Sequence, residues 1–173
     1  MGWSIPIAPV GYTPEIASDT TTRTVNSTST YTQLSGSFSI PASDAEAGSV
    51  YKLTGWGTTS GNAGGSPNLA TEIFNTQLTT VSPDIAQTSV VYDVVIETWI
   101  IVTAAGASGS VNGMIYCLGG GGTQTLFALA VIPPTAVNTT VASDFLIACA
   151  PSAAGVTMNA SVYERDGPGA SSG

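Results

Sequence analysis

The chain contains no histidine and only three basic residues, Arg23, Lys52 and Arg165. Without an imidazole, general acid–base chemistry near neutral pH loses its usual carrier, and the common serine-hydrolase and cysteine-protease triads cannot be assembled. Three cations against 11 acidic residues leave a formal charge of −8 over 173 residues, which repels a phosphate backbone. No nucleic-acid partner is expected. Cysteine is also scarce. Cys117 and Cys149 sit in separate apolar runs, MIYCLG and FLIACAP, and read as buried reduced thiols, small hydrophobes of a core, with a disulfide between them as the alternative. Nothing near either one would depress a thiol pKa. Two distant cysteines without histidine make no metal cluster, so the expectation is no metal, no cofactor and no catalytic residue.

Long hydrophobic runs are missing too. The most apolar central stretch, VVIETWIIV (94–102), is nine residues long and contains Glu97, too short and too polar for a membrane-spanning helix. The opening MGWSIPIAP lacks the basic and apolar regions of a secretory signal, and Pro6 stands where a myristoylation motif wants Ser or Thr. The expectation is a mature chain beginning at Met1, with no membrane partner. What the chain has in place of charge, 8% against roughly 25% in ordinary domains, is hydroxyl: 20 Ser and 24 Thr, beside 43% hydrophobic residues. Threonine with Val, Ile and Tyr favours pleated, half-buried strands, and 20 Gly with 10 Pro supply the turns.

Residues 1–21 place Pro6, Pro9 and Pro14 among Trp3, Ile5, Ile7, Val10 and Tyr12. This is too broken for a helix and too apolar for a free tail, and predicts an extended N-terminal arm. Residues 22–166 show strand-like runs between Gly, Pro, Ser and Asn clusters, at roughly 22–34, 36–41, 49–59, 69–80, 89–104, 110–118, 124–132, 136–141, 144–150 and 155–165. Nine or ten strands without helical periodicity predict a single all-β, antiparallel sandwich. Residues 167–173, GPGASSG, read as a flexible tail.

Alternation is clearest over 90–102. Val90, Tyr92, Val94, Ile96, Ile100 and Val102 form an apolar face interrupted only by Thr98, and this face belongs in the core. The opposite face, Val91, Asp93, Val95, Glu97, Trp99 and Ile101, is also mostly apolar, and QTLFALAVI (124–132) is apolar on both sides. Antiparallel strands with one wet face need no such pattern. The reading is that another subunit covers these outer faces, with Val95, Trp99, Ile101, Phe127 and Leu129 as interface residues; cover by arms or loops of the same chain is the alternative.

Motif chemistry is thin. GASGS (106–110) misses the nucleophile elbow, and the tetraglycine 119–122 continues into TQTLF, without a phosphate-loop GK. Asp93 and Glu97 lie four residues apart, about 13 Å along a strand at ~3.3 Å per residue, beyond the carboxyl spacing of glycosidases, ~5–9.5 Å. Asp44 and Glu46 in PASDAEAG offer Ca²⁺ ligands or, more simply, solvated surface; Glu164 and Asp166 flank Arg165 as a local ion pair. Sequons at Asn26, Asn138 and Asn159 are no more than a chain so rich in Ser and Thr throws up. Trp56, boxed by glycines in GWG, reads as core, as subunit interface or as a candidate ligand platform, in that order.

The segments FSIPAS (38–43), GSVYKLTGWGT (48–58), VVIETWIIVTAAGASGSVNG (94–113) and DFLIACAPSAAGVTMNASVYERDG (144–167) follow one another in an order that resembles tailed-bacteriophage virion proteins, often from phages of actinobacteria. Gly55 departs from the small Ala usual there, and the arm lies outside the shared region. The resemblance implies a jelly-roll fold and a virion protein assembled in the host cytoplasm. It also implies a homotrimer that decorates the shell, and the added apolar arm, with Trp3, Ile5, Ile7, Val10 and Tyr12, reads as docking on the major capsid protein. The alternative it implies is a tail-fibre knob gripping host glycan, with Trp56 as platform. The glycine boxing and the core-like neighbours Tyr51 and Leu53 favour the structural role, with no glycan binding expected.

Overall fold

The computed structural model describes residues 15–26, 28–60, 67–82, 91–119, 125–151 and 155–167, with backbone alone at Ser60 and residues 125–127. The described residues form twelve strands and no helix: β1 (Glu15–Asp19), β2 (Arg23–Asn26), β3 (Thr32–Gln33), β4 (Phe38–Ile40), β5 (Val50–Ser60), β6 (Pro67–Ile73), β7 (Thr76–Val81), β8 (Val91–Ala104), β9 (Gly109–Gly119), β10 (Thr125–Val137), β11 (Ser143–Pro151) and β12 (Gly155–Asp166). They build two antiparallel sheets that pack as a β-sandwich. The larger runs β1-β12-β5-β8-β9-β10, with β2 lying beside β12 next to β1; the smaller runs β3-β11-β6-β7, with β4 also on β11. The pairings are nested. β6 pairs with β7, β5 with β8, β4 with β11 and β1 with β12, while β9 and β10 continue the larger sheet from β8.

Alternation determines what faces inward. On β8, Val94, Ile96, Thr98, Ile100 and Val102 are buried and the intervening side chains point out. Thr98, the polar interruption, is satisfied between the sheets, accepting a hydrogen bond from Thr71 Oγ1 at 2.9 Å and donating to the Met114 carbonyl at 3.2 Å. At one end of the core Tyr51, Tyr163, Phe145, Phe38 and Phe74 form an aromatic cluster: Phe38 stacks on Tyr163 at 5.4 Å between centroids, and Tyr51 meets Phe74 edge-on at 5.8 Å. Such pairs contribute about 0.5–1.5 kcal/mol each beyond the area they bury. Cys117 and Cys149 are buried and unbonded.

Several boundaries differ from expectation. The run 69–80 is two strands, because Phe74 and Asn75 take positive φ (51° and 53°) and make a two-residue hairpin turn, the geometry that suits the twist of paired strands. The runs 124–132 and 136–141 are largely one strand, β10, carried past Pro133 and Pro134 by a register shift between Ile132 and Thr135; proline is tolerated on an edge strand at such an irregularity. Of the predicted arm 1–21, residues 15–19 are β1, registered against Ser161–Arg165 with Ala17 packed on the core. Residues 1–14 and the tail from 168 lie outside the described residues.

Ion pairing also differs. Arg165 turns from Glu164 and Asp166 to Asp44, with Nη2 3.0 Å from the carboxylate and 2.9 Å from the backbone carbonyl. This ties the 41–49 connection to the larger sheet, so Asp44 is a structural partner and not solvated surface. Glu164 instead faces Lys52 at 3.8 Å.

Candidate functional site

The outer face of the larger sheet gathers the side chains that the core does not use. Of the large apolar side chains exposed among the described residues, all but Val141 belong to it: Ile16, Trp56, Val91, Ile101, Met114, Leu129 and Val131. Strand register sorts the face into cross-strand rows. One row runs Glu164, Lys52, Trp99, Met114, Val131; the next runs Val162, Thr54, Glu97, Tyr116, Leu129; a third runs Ala160, Trp56, Val95, Leu118. Same-face neighbours on paired strands are close enough for their side chains to interact.

The middle row centres on Glu97. Its carboxylate accepts hydrogen bonds from the Trp99 indole N–H, the Tyr116 hydroxyl and Thr54 Oγ1 (3.2 Å), and Lys52 Nζ stands 3.6 Å away. The same ammonium lies 4.9 Å from the Trp99 ring centroid, a cation–π contact. Burial alone would raise the Glu97 pKa, but the hydrogen bonds from Tyr116 and Trp99 and the charge of Lys52 outweigh it and hold the carboxyl below the usual glutamate range. Tyr116 is pushed up to about 12, by burial first and then by the Glu97 carboxylate. A carboxylate so saturated with donors is held ionised, which is structural chemistry and the opposite of what a general acid needs.

All three basic side chains are paired within the chain: Arg23 with Asp19 at 2.8 Å, Lys52 with Glu97 and Glu164, and Arg165 with Asp44. Among the described residues no cluster of three or more His, Cys, Asp or Glu side chains is placed to hold a metal ion.

Of the interface residues expected from sequence, Val95 and Trp99 are half-buried and Ile101 and Leu129 exposed, all on this face. The side chain of Phe127 and the whole of Trp3, Ile5, Ile7, Val10 and Tyr12 lie outside the described residues. Trp56 corrects the sequence reading. It is 42% exposed and is not core; its inward neighbours Tyr51 and Leu53 are on the other face of β5. It lines a cleft of 310 Å³ with Asp93, Val95, Leu118 and Asn159. The Glu97 centre and the Asn159 side of this cleft escaped the sequence reading. E-x-W on one strand face hints at the first, but cross-strand register is not readable from one strand, and a bulge at Asn159 leaves no periodic trace.

No protein-family model matches the chain, and no curated protein matches it.

Proposed function

We propose that this chain is a non-enzymatic structural protein of a phage virion, a jelly-roll subunit that self-associates as a trimer and docks on and stabilises the capsid. The observation that carries the reading is the apolar row Trp99, Met114, Val131, flanked by Ile101 and Leu129. Scattered exposed apolar residues are ordinary, but a contiguous apolar patch on a sheet face marks an interaction surface. With all three basic side chains paired internally, little is left among the described residues to recruit a polyanion. The nested strand pairing supports the jelly-roll assignment: β1·β12, β4·β11, β5·β8 and β6·β7 are the successive rungs of one long antiparallel ribbon rolled onto itself, with β9 and β10 as an added hairpin. Trimer, capsid partner and virion location come from the resemblance of segments 38–43, 48–58, 94–113 and 144–167. A decoration protein that binds assembled shell and not free subunits stabilises the shell by mass action.

Two measurements test this. Light scattering after size exclusion is expected to give the mass of three chains; a single-chain mass at micromolar concentration overturns self-association, and a two-chain mass replaces the trimer with a two-fold dimer. Electron microscopy of virions of the encoding phage is expected to place the protein on the head, and its location at the tail tip would favour the receptor-binding alternative.

A further inference from the structure

The exposure of Trp56 removes the ground on which no glycan binding was expected, and we propose that the cleft beside it binds a neutral sugar ring, a function separate from self-association. The cleft's 310 Å³ sits at the low end of small-molecule pockets, ~300–1,000 Å³. Trp56 offers a partly exposed indole, Val95 and Leu118 supply apolar wall, and Asp93 and Asn159 supply a carboxylate and an amide. A pyranose needs this combination: its C–H face stacks on an aromatic ring while neighbouring hydroxyls donate to a carboxylate and exchange hydrogen bonds with an amide.

Local backbone irregularity shapes the cleft. The register between β12 and β5 shifts between Met158 and Ala160, leaving Asn159 without a partner on β5. A bulge of this kind re-aims a side chain and is over-represented beside binding sites. Gly57 faces the same irregularity, and a Cβ there would stand 1.9 Å from the Thr157 carbonyl oxygen, so the glycine after Trp56 is what lets the strand pass the bulge. The Asp93 carboxylate takes no hydrogen bond or ion pair from the described residues, unlike that of Glu97 four residues on, which is fully occupied.

Other ligand chemistries fit less well. A wholly apolar ligand would desolvate Asp93 without giving it a partner. An anionic sugar would meet Asp93 and a chain of charge −8. A quaternary ammonium is held by several aromatic faces, and among the described residues Trp56 is the one aromatic side chain lining the cleft. The cleft lies across the Glu97 row from Trp99, Met114 and Val131, so a subunit can occupy one half of the face while the other half stays open.

The test is calorimetric titration of the full chain with neutral tetrasaccharides built from glucose, mannose, galactose or N-acetylglucosamine, with a uronic-acid tetramer and tetramethylammonium as the charged probes. At least one neutral tetramer is expected to bind, and Trp56→Ala and Asp93→Ala each to weaken it about tenfold or more. Val141→Ala, an exposed apolar side chain off this face, is expected to leave it unchanged. Circular dichroism establishes that the variants are folded. The proposal is overturned if no neutral tetramer binds at millimolar concentration, if only a charged probe binds, or if binding survives Trp56→Ala. It is overturned as well if Trp56→Ala lowers the oligomeric mass without sugar, since a second copy of the chain would then fill the cleft. Monomeric wild type that still binds sugar would sink the association reading alone.

Discussion

The indole N–H of Trp99 donates to the carboxylate of Glu97, two residues back on the same face of β8. The tryptophan is thereby fixed over Lys52, and the glutamate keeps its charge although half-buried. Because its pKa is lowered on folding, Glu97 contributes stability that is present above the ordinary glutamate value, about 4.3, and lost as pH falls through the folded value. Urea unfolding across acid pH is expected to show this loss in wild type, and Glu97→Gln is expected to flatten it. An unchanged acid slope in Glu97→Gln would show that other carboxylates carry the dependence.

Two glycines are fixed by backbone proximity. A Cβ on Gly57 would stand 1.9 Å from the Thr157 oxygen, and one on Gly113 1.9 Å from the Trp99 oxygen. Neither neighbour is a side chain that can swing away. Gly57→Ala and Gly113→Ala are each expected to lower stability by about 1–3 kcal/mol or more, as forced overpacking does, read by chemical denaturation. Wild-type stability in either variant would mean that the strands part without penalty.

The sequence reading recovered the β class, the strand-rich organisation and the two faces of β8, because period-2 alternation and turn chemistry are local properties. It placed Val95, Trp99 and Ile101 on an outer face for the same reason, and Leu129 at an interface because its run is apolar on both sides. It missed where Arg165 goes, since Asp44 is 121 residues away and adjacent acids look like better partners. It misassigned Trp56 because glycines on either side suggest a crowded ring, whereas Gly55 and Gly57 make room on the opposite face: a Cβ on Gly55 would strike Met158. Residues 15–19 read as arm because β1 is held by its pairing with β12 and has little apolar alternation of its own.

The cysteines give a prediction about reactivity. Burial pushes the Cys117 thiol up to about 12, and burial with the nearby Cys117 does the same for Cys149. A thiol is nucleophilic only as the thiolate, so neither cysteine is expected to react with an aromatic disulfide reagent at neutral pH until the protein unfolds. In denaturant both are expected to react, at a rate set by unfolding. Rapid stoichiometric labelling of the folded protein would contradict the buried, protonated state, and two thiols that stay unreactive in denaturant without reductant would reveal a disulfide.

Association and folding are separable by substitution on the outer sheet face. Val131 is 72% exposed and Ile101 42%, so neither contributes much to the core of a single subunit, and polar substitutions of exposed side chains usually change stability by less than about 0.5 kcal/mol. If the Trp99–Met114–Val131 row is a subunit contact, the same substitutions bury a charge without a partner in the assembly, which is costly. Ile101→Asp and Val131→Asp are therefore expected to give folded monomers: smaller mass by light scattering, and a thermal transition that no longer rises with protein concentration. Trp56→Ala serves as the control on the other half of the face, and its mass is expected to stay that of wild type. If both aspartate variants keep the wild-type mass, the apolar row is not the contact, and cover by residues of the same chain becomes the better account of its composition.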